Sequence, residues 1–510
     1  MAELSTYTDP NASTELAALD LGSNSFHLLV VQTNQGRVQV VDKIKEMVRL
    51  AEGLDADDNL TEPVARRALD CLERLGQRLR DLPPENVRVV ATNTLRRANN
   101  AAEFMRKAEA ALGHTVEIIS GREEARLIYL GVSHALENQH ERRLVVDIGG
   151  GSTELILGRR FEPEVMESLY MGCVGLSRKY FPEGELRATA YQRAVDHARQ
   201  ELEPIRRAYR HRGWDTAVGA SGTILAAQEV LNHMGRDQGG ITADGLEQIR
   251  RALVQAKHVS KLSLPGLPAE RAPVFPGGLA ILQAIFEALD VERMQATSGA
   301  LREGVIHDLL GRVQHQDVRE STVRDLMQRY HVDGHHGRRV RESALLLLAQ
   351  VAADWQLTDP DDRLLLGWAA DLHEIGMDIA HSQYHKHGGY LLRYMDMPGF
   401  SSWDQRQLAA LVRAHHHRRK FPISESGFNG SERTRLIRMA VLLRLAVVMH
   451  RNRGTRPLPH VGLAVGETPD HLILSLPGTW LQRHPLTRLD LQQEAAFLEA
   501  IPVKLSVSTR

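Results

Sequence analysis

The chain has 510 residues, which is enough for three or four domains with separate hydrophobic cores. Its 63 basic and 64 acidic residues give a formal net charge of −1, so the overall charge predicts no nucleic-acid partner. Two cysteines, Cys71 and Cys173, exclude a disulfide framework and a thiolate metal cluster, and they favour a reducing compartment.

The first predicted element is a strand that ends in Asp20 and a turn of small residues. The stretch Leu16 to Val30 reads LAALDLGSNSFHLLV, with apolar residues on both sides of the turn. Further strands are predicted at Val38 to Val41, Met47 to Leu50, Val87 to Ala91 and Val116 to Ile119, and a helix at Thr61 to Leu82. Strands that alternate with helices indicate an α/β layer architecture.

The next stretch, SGREEARLIYLGV, predicts a helix that begins at Ser120. Glu123 stands three residues after this N-cap, which is the spacing of a capping box and gives Glu123 a structural role. Glu124 points about 100° further round the helix and is not used by the cap. Its carboxylate could act as a general base for a water molecule, or it could merely complement the helix dipole.

A second copy of the first turn follows at Leu144 to Glu154, which reads LVVDIGGGSTE. In the same register, Asp147 matches Asp20, Gly149 matches Gly22 and Ser152 matches Ser25. Consecutive N–H groups in such a turn form an anion-binding nest, and a strand-end aspartate suits a hard cation. One copy is a common strand-end turn, but two in matching register predict two phosphate hairpins that face each other across a cleft.

A third small-residue turn, Gly219 to Thr223, precedes a helix. The free N–H groups at a helix start can bind an anion, but Ser221 or Thr223 could equally form an ordinary N-cap. From about residue 316 the pattern changes to successive helices, and 14 of the 24 histidines follow this point. Histidine-rich helices can bind a metal or a polyanion, whereas a single histidine is more simply a surface residue.

Five stretches, in this order and spacing, resemble the exopolyphosphatase / guanosine pentaphosphate phosphohydrolase family. They are LDLGSNSFH (Leu19–His27), SGREEARLIYLGV (Ser120–Val132), VDIGGGSTEL (Val146–Leu155), GASGT (Gly219–Thr223) and SGALREGV (Ser298–Val305). The resemblance implies duplicated α/β domains of the actin-like ATPase (ribonuclease H-like) fold. It also implies an all-α HD-like domain and a small α+β C-terminal domain. The expected domain bounds are 1–139, 140–315, 316–455 and 456–510.

The resemblance also assigns roles to residues. It places the catalytic glutamate on Glu124 and the aspartate that handles metal and phosphate on Asp147. With Asp20 and Glu154, Asp147 is expected to hold Mg²⁺, or Mn²⁺ in its place. The expected phosphate-binding residues are Gly22, Ser23, Asn24, Ser25, Gly149, Gly150, Gly151, Ser152, Ser221 and Gly222, together with Arg96, whose guanidinium can engage two phosphate oxygens.

The helical region departs from the active HD pattern. His373 is followed by Glu374 instead of aspartate, and Val447 stands where a late metal-binding aspartate is expected. An oxygen-ligand site that lacks its carboxylates is not suited to catalysis. We therefore interpret this domain as a binding scaffold with a degenerate metal site.

The family resemblance predicts a phosphoanhydride hydrolase. The first interpretation is an exopolyphosphatase that removes terminal phosphate processively from inorganic polyphosphate. The alternative is hydrolysis of guanosine pentaphosphate to the tetraphosphate, or both activities. A sugar kinase, a chaperone-like ATPase and a non-catalytic sensor of either ligand are the competing classes, and retention of both Glu124 and Asp147 argues against a sensor.

The expected setting is cytoplasmic, with a homodimer implied by the family resemblance. The polar, acidic-leaning opening residues do not read as a signal peptide, and no apolar run approaches the ~18 residues of a membrane span. The sequence leaves open whether the protein attaches loosely to a membrane, and it does not give the preferred polymer length.

Overall fold

A computed structural model describes residues 14–34, 37–136, 141–235, 239–313, 317–416, 423, 428, 430–454 and 456–509. The chain divides into two compact units, Met1–Asp317 (unit 1) and Val318–Arg510 (unit 2). The four domain bounds expected from the sequence are finer than this division and stay a prediction. His417, one of the clustered histidines, lies outside the described residues.

The first sheet of unit 1 has five strands in the order β3-β2-β1-β4-β5. Its strands are β1 (Thr14–Leu21), β2 (Phe26–Asn34), β3 (Arg37–Glu46), β4 (Val87–Ala91) and β5 (Val116–Ile118). Its helices are α1 (Glu62–Leu79), α2 (Asn93–Arg97) and α3 (Ala101–Leu112). Strands β1 to β3 are antiparallel, whereas β4 and β5 run parallel to β1. The central β1 is apolar on both faces, as a strand covered on both sides must be.

The second sheet repeats this arrangement, in the order β10-β11-β9-β6-β7-β8. Its strands are β6 (Arg142–Ile148), β7 (Thr153–Arg159), β8 (Glu162–Leu169), β9 (Thr216–Gly219), β10 (Ile241–Thr242) and β11 (Arg293–Ala296). The helices of this half are α4 (Gly121–Ala135), α5 (Cys173–Tyr180), α6 (Ala188–Arg212), α7 (Gly222–His233), α8 (Ala243–Ala256), α9 (Phe275–Leu289) and α10 (Leu301–Val313). Again three antiparallel strands are followed by parallel ones. The predicted duplication of actin-like α/β domains is confirmed.

The predicted strand at Met47 to Leu50 is wrong. This segment leaves the sheet and enters a 3₁₀ helix at Leu50–Gly53, with Arg49 in the left-handed region at φ 52°. The Arg49 N–H donates to Asn24 O at 2.7 Å, and the Ala51 N–H donates to Ser23 O at 2.8 Å. The segment is apolar because Val48 and Leu50 are buried, and it braces the first glycine turn instead of extending the sheet.

Helices α4 and α10 pack against each other at glycines. A Cβ on Gly131 would lie 2.1 Å from Ala300 O, and a Cβ on Gly304 would lie 1.8 Å from Leu127 O. One hydrophobic cluster includes both helices and residues of both sheets, among them Ala18 of β1. The two helices therefore join the two halves of unit 1 at backbone contact distance.

In the described residues of unit 2, six α-helices are followed by a small α+β region, as predicted. The helices are α11 (Val318–Arg329), α12 (Gly334–Val351), α13 (Pro360–Leu372), α14 (Tyr384–Tyr394), α15 (Ser402–Ala414) and α16 (Gly430–Met449). The remainder comprises β12 (Gly462–Val465), β13 (His471–Leu476), α17 (Gly478–Arg483), α18 (Pro485–Leu498) and β14 (Lys504–Thr509). One hydrophobic core extends through the helices and the three-stranded sheet. None of the helices in the described ranges is long and apolar enough to span a membrane.

Candidate active site

A cleft in unit 1 gathers most of the residues singled out in the sequence. Its cavity has a volume of about 670 Å³. The predicted residues that line it are Asp20, Gly22, Ser23, Asn24, Ser25, Glu124, Asp147, Gly149, Gly150, Gly151, Ser152, Glu154, Ser221 and Gly222. Arg96 is not among the lining residues. Strand β1 pairs in parallel with β4, and strand β6 pairs in parallel with β9. The carboxyl ends of β1 and β6 lie at this cleft, which explains why Asp20 and Asp147 line one cavity.

The two glycine turns lie against each other. A Cβ on Gly151 would lie 2.4 Å from Asn93 Oδ1 and 3.3 Å from Ser23 Oγ. A Cβ on Gly150 would lie 3.0 Å from the Ser23 Cβ and 3.5 Å from the Asn24 N. Glycine suits both positions because a side chain at Gly150 would crowd the first turn, and one at Gly151 would meet Asn93 at the start of α2. Both turns line one cavity.

Four carboxyl groups, from Asp20, Glu124, Asp147 and Glu154, line the same cavity. Glu124 and Glu154 are buried, whereas Asp20 and Asp147 are half-buried. Burial, and then the charge of Glu124, raise the pKa of Asp20 to about 8 and the pKa of Asp147 to about 7. Burial and the same glutamate hold the pKa of Glu154 well above its usual range, although Ser168 Oγ donates a 2.8 Å hydrogen bond to its Oε1. Burial also raises the pKa of Glu124.

This cluster fits a hard divalent cation. Four acids in one buried site cannot all be ionised near pH 7 without a compensating positive charge. The Asp20 Oδ1 is buried and has no hydrogen-bond partner among the described residues, which leaves it available as a ligand. The donors are all carboxylate oxygens, the ligand type preferred by Mg²⁺ and Mn²⁺.

Glu124 lies in the first turn of α4, whose predicted N-cap is present. The Ser120 Oγ accepts a hydrogen bond from the Glu123 N–H at 3.1 Å. The Glu124 Oε2 accepts from Arg96 Nη1 at 3.3 Å, and the same nitrogen donates to Ile119 O at 2.8 Å. Arg96 therefore fixes the position of the Glu124 carboxylate. The predicted contact of Arg96 with phosphate stays a prediction.

The neighbouring Glu123 was predicted to reach back to the Ser120 N–H, and that contact stays a prediction. Its carboxylate accepts from Arg126 Nε and Nη2, both at 2.8 Å. Arg126 also pairs with Asp308 of α10, and Asp308 pairs with Arg88 of β4 at 2.7 Å. All four charged groups are buried, so this network fixes the start of α4, and with it Glu124, against α10 and the first sheet.

The motif analysis missed a hydrogen-bonded chain that ends at the first turn. Arg302 Nη1 donates to His27 Nδ1 at 2.9 Å, and His27 Nε2 lies 2.7 Å from Ser25 Oγ. Because a guanidinium only donates, His27 Nδ1 must accept, and its Nε2–H donates to Ser25. Burial, followed by Arg302, lowers the pKa of His27 to about 3 and keeps the ring neutral. The Ser25 hydroxyl hydrogen is then free to point at an anion.

Basic residues line the rest of the cavity. Arg271, Lys43 and Lys45 lie on its wall, together with Arg302. A Cβ on Gly222 would lie 1.7 Å from Arg271 Nη2, so the guanidinium rests directly on the third glycine turn. Ser221 forms the N-cap of α7, accepting from the Ile224 N–H at 3.2 Å, and also lines the cavity, so the two readings of this turn are compatible. The sequence carried no signal for Arg271 or the two lysines.

Two family profiles cover most of the chain. The profile of the Ppx/GppA phosphatase family matches residues 29–313, and the profile of Ppx/GppA phosphatase domain III matches residues 318–495. The chain belongs to the Ppx/GppA phosphatase family. The resemblance inferred from the five motifs is thereby confirmed.

Similar proteins extend over nearly the whole length. Guanosine-5'-triphosphate,3'-diphosphate pyrophosphatase of Vibrio cholerae is 43% identical over 479 residues, 94% of this chain and 95% of that protein. The proteins of the same name from Photobacterium profundum and Aliivibrio fischeri are 40% identical over 479 residues and 41% identical over 494 residues. An exopolyphosphatase structure from Cytophaga hutchinsonii matches with a TM-score of 0.54 at 23% identity, covering 58% of this chain and 98% of its own.

These comparisons overturn the first functional interpretation, an exopolyphosphatase. The relatives that are 40–43% identical over almost their full length carry the name of the guanosine nucleotide enzyme. The structure named exopolyphosphatase is similar only in fold, at 23% identity. The prediction failed because glycine turns with neighbouring acids predict a phosphate site and do not identify the molecule that carries the phosphate.

Proposed function

We propose that this protein hydrolyses guanosine-5'-triphosphate,3'-diphosphate and releases the terminal phosphate of the 5' chain. The observation that carries the substrate is the 43% identity, over 94% of this chain, to an enzyme of that name. The cleft supports the chemistry, since two glycine turns and four acids line one cavity. A cytoplasmic location and a homodimer belong to the same proposal.

In this proposal the glycine turns bind the terminal phosphoryl group. The Gly149 N–H closes its own turn by donating to Ser152 O at 2.9 Å. The N–H groups of Gly150 to Ser152 and of Gly22 to Ser25 donate to the phosphoryl oxygens, and the Ser25 hydroxyl, oriented by His27, adds another donor. Because both turns end strands of packed sheets, these donors are held in place before the substrate arrives. Such preorganisation is the main requirement of phosphoryl transfer.

Glu124 acts as the general base. It takes a proton from a water molecule whose oxygen forms the new bond to phosphorus, while the bond from phosphorus to the bridging oxygen breaks and the guanosine tetraphosphate leaves. Burial raises the pKa of Glu124, which brings its basicity closer to what proton abstraction near neutral pH requires. Arg96 positions the carboxylate through its 3.3 Å contact with Oε2.

Asp20, Asp147 and Glu154 would hold Mg²⁺, or Mn²⁺ in its place. When bound, the ion supplies positive charge that neutralises the phosphoryl oxygens. Lys43, Lys45 and Arg271 contribute further positive charge on the cavity wall. Two phosphate chains on one ribose make the substrate strongly anionic, and a basic wall beside the glycine turns suits the chain that does not react.

The test is phosphate release from guanosine pentaphosphate and from long-chain polyphosphate at equal total phosphate, with Mg²⁺ present. We expect faster release from the nucleotide, with one phosphate released per molecule. Faster release from polyphosphate would contradict the substrate assignment.

The Glu124→Gln variant tests the base. We expect its kcat for the nucleotide to fall by a factor of about 10² to 10⁴, because the side-chain amide of glutamine cannot accept the proton from water. The affinity for the nucleotide should change little. Glu103→Gln, an exposed change on α3, serves as the matched control and should keep wild-type turnover. Wild-type turnover in Glu124→Gln would rule out this base.

A further inference from the structure

A second group of buried ligand-type side chains lies in unit 2, outside the cleft. The group consists of three buried residues, His336, His373 and Glu374. Each offers one ligand atom, and these three atoms lie within 4.8 Å of one another. His336 Nε2 and His373 Nε2 are each 3.9 Å from Glu374 Oε1. The residues come from the start of α12 and the end of α13, which pack side by side.

The imidazole of His373 is held as a metal ligand would be. Its Nδ1–H donates to Ala370 O at 2.6 Å, so Nε2 carries the lone pair. His373 is only 1% exposed, and its Nε2 atom is buried and has no hydrogen-bond partner among the described residues. A backbone carbonyl that fixes one ring nitrogen and leaves the other free is the usual support of a metal-binding histidine.

His336 is also fixed by its element. Asp333 caps α12 by accepting from the His335 and His336 N–H groups at 3.1 and 3.0 Å, which sets the first turn of the helix. The His336 ring is buried, and its Nε2 lies on the same side as Glu374, 3.9 Å from Oε1.

A guanidinium now neutralises the one carboxylate of this group. Arg453 Nη2 contacts Glu374 Oε1, and Arg453 Nη1 lies 3.5 Å from Asp333 Oδ2. The side chain of Arg453 is 45% exposed, whereas that of Glu374 is 9% exposed. Arg453 can therefore turn out into solvent and leave Glu374 to a different cation without any rearrangement of the core.

We propose that His336, His373 and Glu374 form a site for a divalent transition metal of borderline softness, such as Zn²⁺ or Co²⁺, which takes the place of Arg453 on Glu374. Two imidazoles and one carboxylate favour such a metal over Mg²⁺. Ligand atoms bound at 2.0–2.2 Å in a tetrahedron are about 3.4 Å apart. The two 3.9 Å separations from Glu374 Oε1 therefore need to close by about half an ångström, and the histidine nitrogens, within 4.8 Å of each other, by up to about 1.4 Å. The carboxylates missing from the HD pattern matter for a hard cation and do not bear on a histidine site.

The test uses the full-length protein, stripped of metal by a chelator and kept in excess Mg²⁺ so that the acid cluster of unit 1 is occupied. Co²⁺ is the probe, since its visible absorption reports coordination by nitrogen. We expect one Co²⁺ per chain with a visible absorption band, and displacement of that Co²⁺ by one equivalent of Zn²⁺. The absence of such a band and of stoichiometric binding would overturn the proposal.

Three variants and a matched control locate the site. His336→Gln and His373→Gln should weaken Co²⁺ binding by about 100-fold or more, because each removes a ligand. His335→Gln changes the exposed neighbour on the same helix turn and should bind like the wild type. Arg453→Ala removes the competing cation and should tighten binding by about tenfold, the effect of about 1.4 kcal/mol.

Unchanged thermal melting in the absence of metal, and unchanged phosphate release, show that a weak-binding variant is still folded. Equal binding by His335→Gln and His336→Gln would place the metal elsewhere and overturn the assignment. Unchanged affinity in Arg453→Ala would overturn the exchange between the arginine and the metal, even in a protein that binds Co²⁺.

Discussion

The Oδ1 atom of Asp20 is buried and has no hydrogen-bond partner among the described residues, and the pKa of this carboxyl group is raised to about 8. In the unfolded chain the same group ionises near pH 4. Between these values the folded protein must hold a proton that the unfolded chain has released. The contribution of Asp20 to stability is therefore favourable below about pH 4 and is lost as the pH rises toward 8.

Asp20→Asn should raise the free energy of unfolding of the metal-free protein, by about 1–3 kcal/mol at pH 8. The amide keeps the shape and carries no charge, so it removes the repulsion from Glu124 and Asp147. The gain should be smaller at pH 5, and phosphate release should be largely lost. Urea unfolding in a chelator at both pH values measures this, and an equal gain at pH 5 and pH 8 would contradict it.

At the residue scale, most of the candidate site could be predicted from the sequence because the same turn motif occurs twice in one register. Asp20 and Asp147 were found because one pattern of strand, acid and glycine turn occurs twice. His27 and Arg302 lie inside quoted motifs, yet their roles were missed, because their hydrogen bond joins residues 275 positions apart. Arg271 had no motif at all. Contacts made by tertiary packing leave no local pattern.

At the element scale, the helix pair α4 and α10 determines the geometry of the cleft. Glu124 lies in the first turn of α4 and Arg302 in the first turn of α10, so the separation of the helices sets the distance between the proposed base and the Arg302–His27 pair. The pair is held by close glycine packing and by the buried charges of Arg126 and Asp308. Substitution of Gly131 or Gly304 should therefore change the geometry of the cleft, although neither glycine lines it.

Gly304→Ala tests this packing. The new Cβ would lie 1.8 Å from Leu127 O, a backbone atom that cannot move alone, so α10 must shift away from α4. We expect destabilisation by about 1–3 kcal/mol, and reduced turnover because Arg302 and Glu124 separate. Thermal unfolding and phosphate-release kinetics measure the two effects.

Gly175→Ala is the control, since it is exposed in the middle of α5 and a Cβ there meets no atom within 4 Å. Alanine should be neutral there or stabilise the protein by up to about 1 kcal/mol, through its higher helix propensity. Equal effects of the two substitutions would show that the close packing of α4 on α10 does not matter.

Helices and strands were predicted correctly where the hydrophobic periodicity agreed with the capping and turn residues that begin or end an element. The strand Val87–Ala91 was predicted with its observed bounds, and the helix from Ser120 was predicted with its cap. The prediction failed at Met47 to Leu50, where Val48 and Leu50 are buried in the hydrophobic cluster of the first sheet although the segment is not a strand. Alternation reports which side chains are buried, and does not report whether the backbone pairs with another strand.

At the scale of the whole molecule, the proposed substrate rests on similarity along the full length, because the site motifs do not identify the molecule that carries the phosphate. The 43% identical relative is matched over 95% of its length, through both units. The Cytophaga structure, at 23% identity, matches 58% of this chain and 98% of its own. The role of unit 2 as a binding scaffold stays a prediction.

Residues 1–317 expressed alone should therefore fold and retain Mg²⁺-dependent phosphate release from guanosine pentaphosphate. Unit 1 has its own hydrophobic clusters, and every predicted catalytic and metal-binding residue lies within it. We expect cooperative thermal unfolding and a kcat within about tenfold of the full-length value, a loss of at most about 1.4 kcal/mol of transition-state stabilisation. Effects on KM would then measure what unit 2 adds to binding. A folded unit 1 without turnover would show that the site needs residues beyond 317.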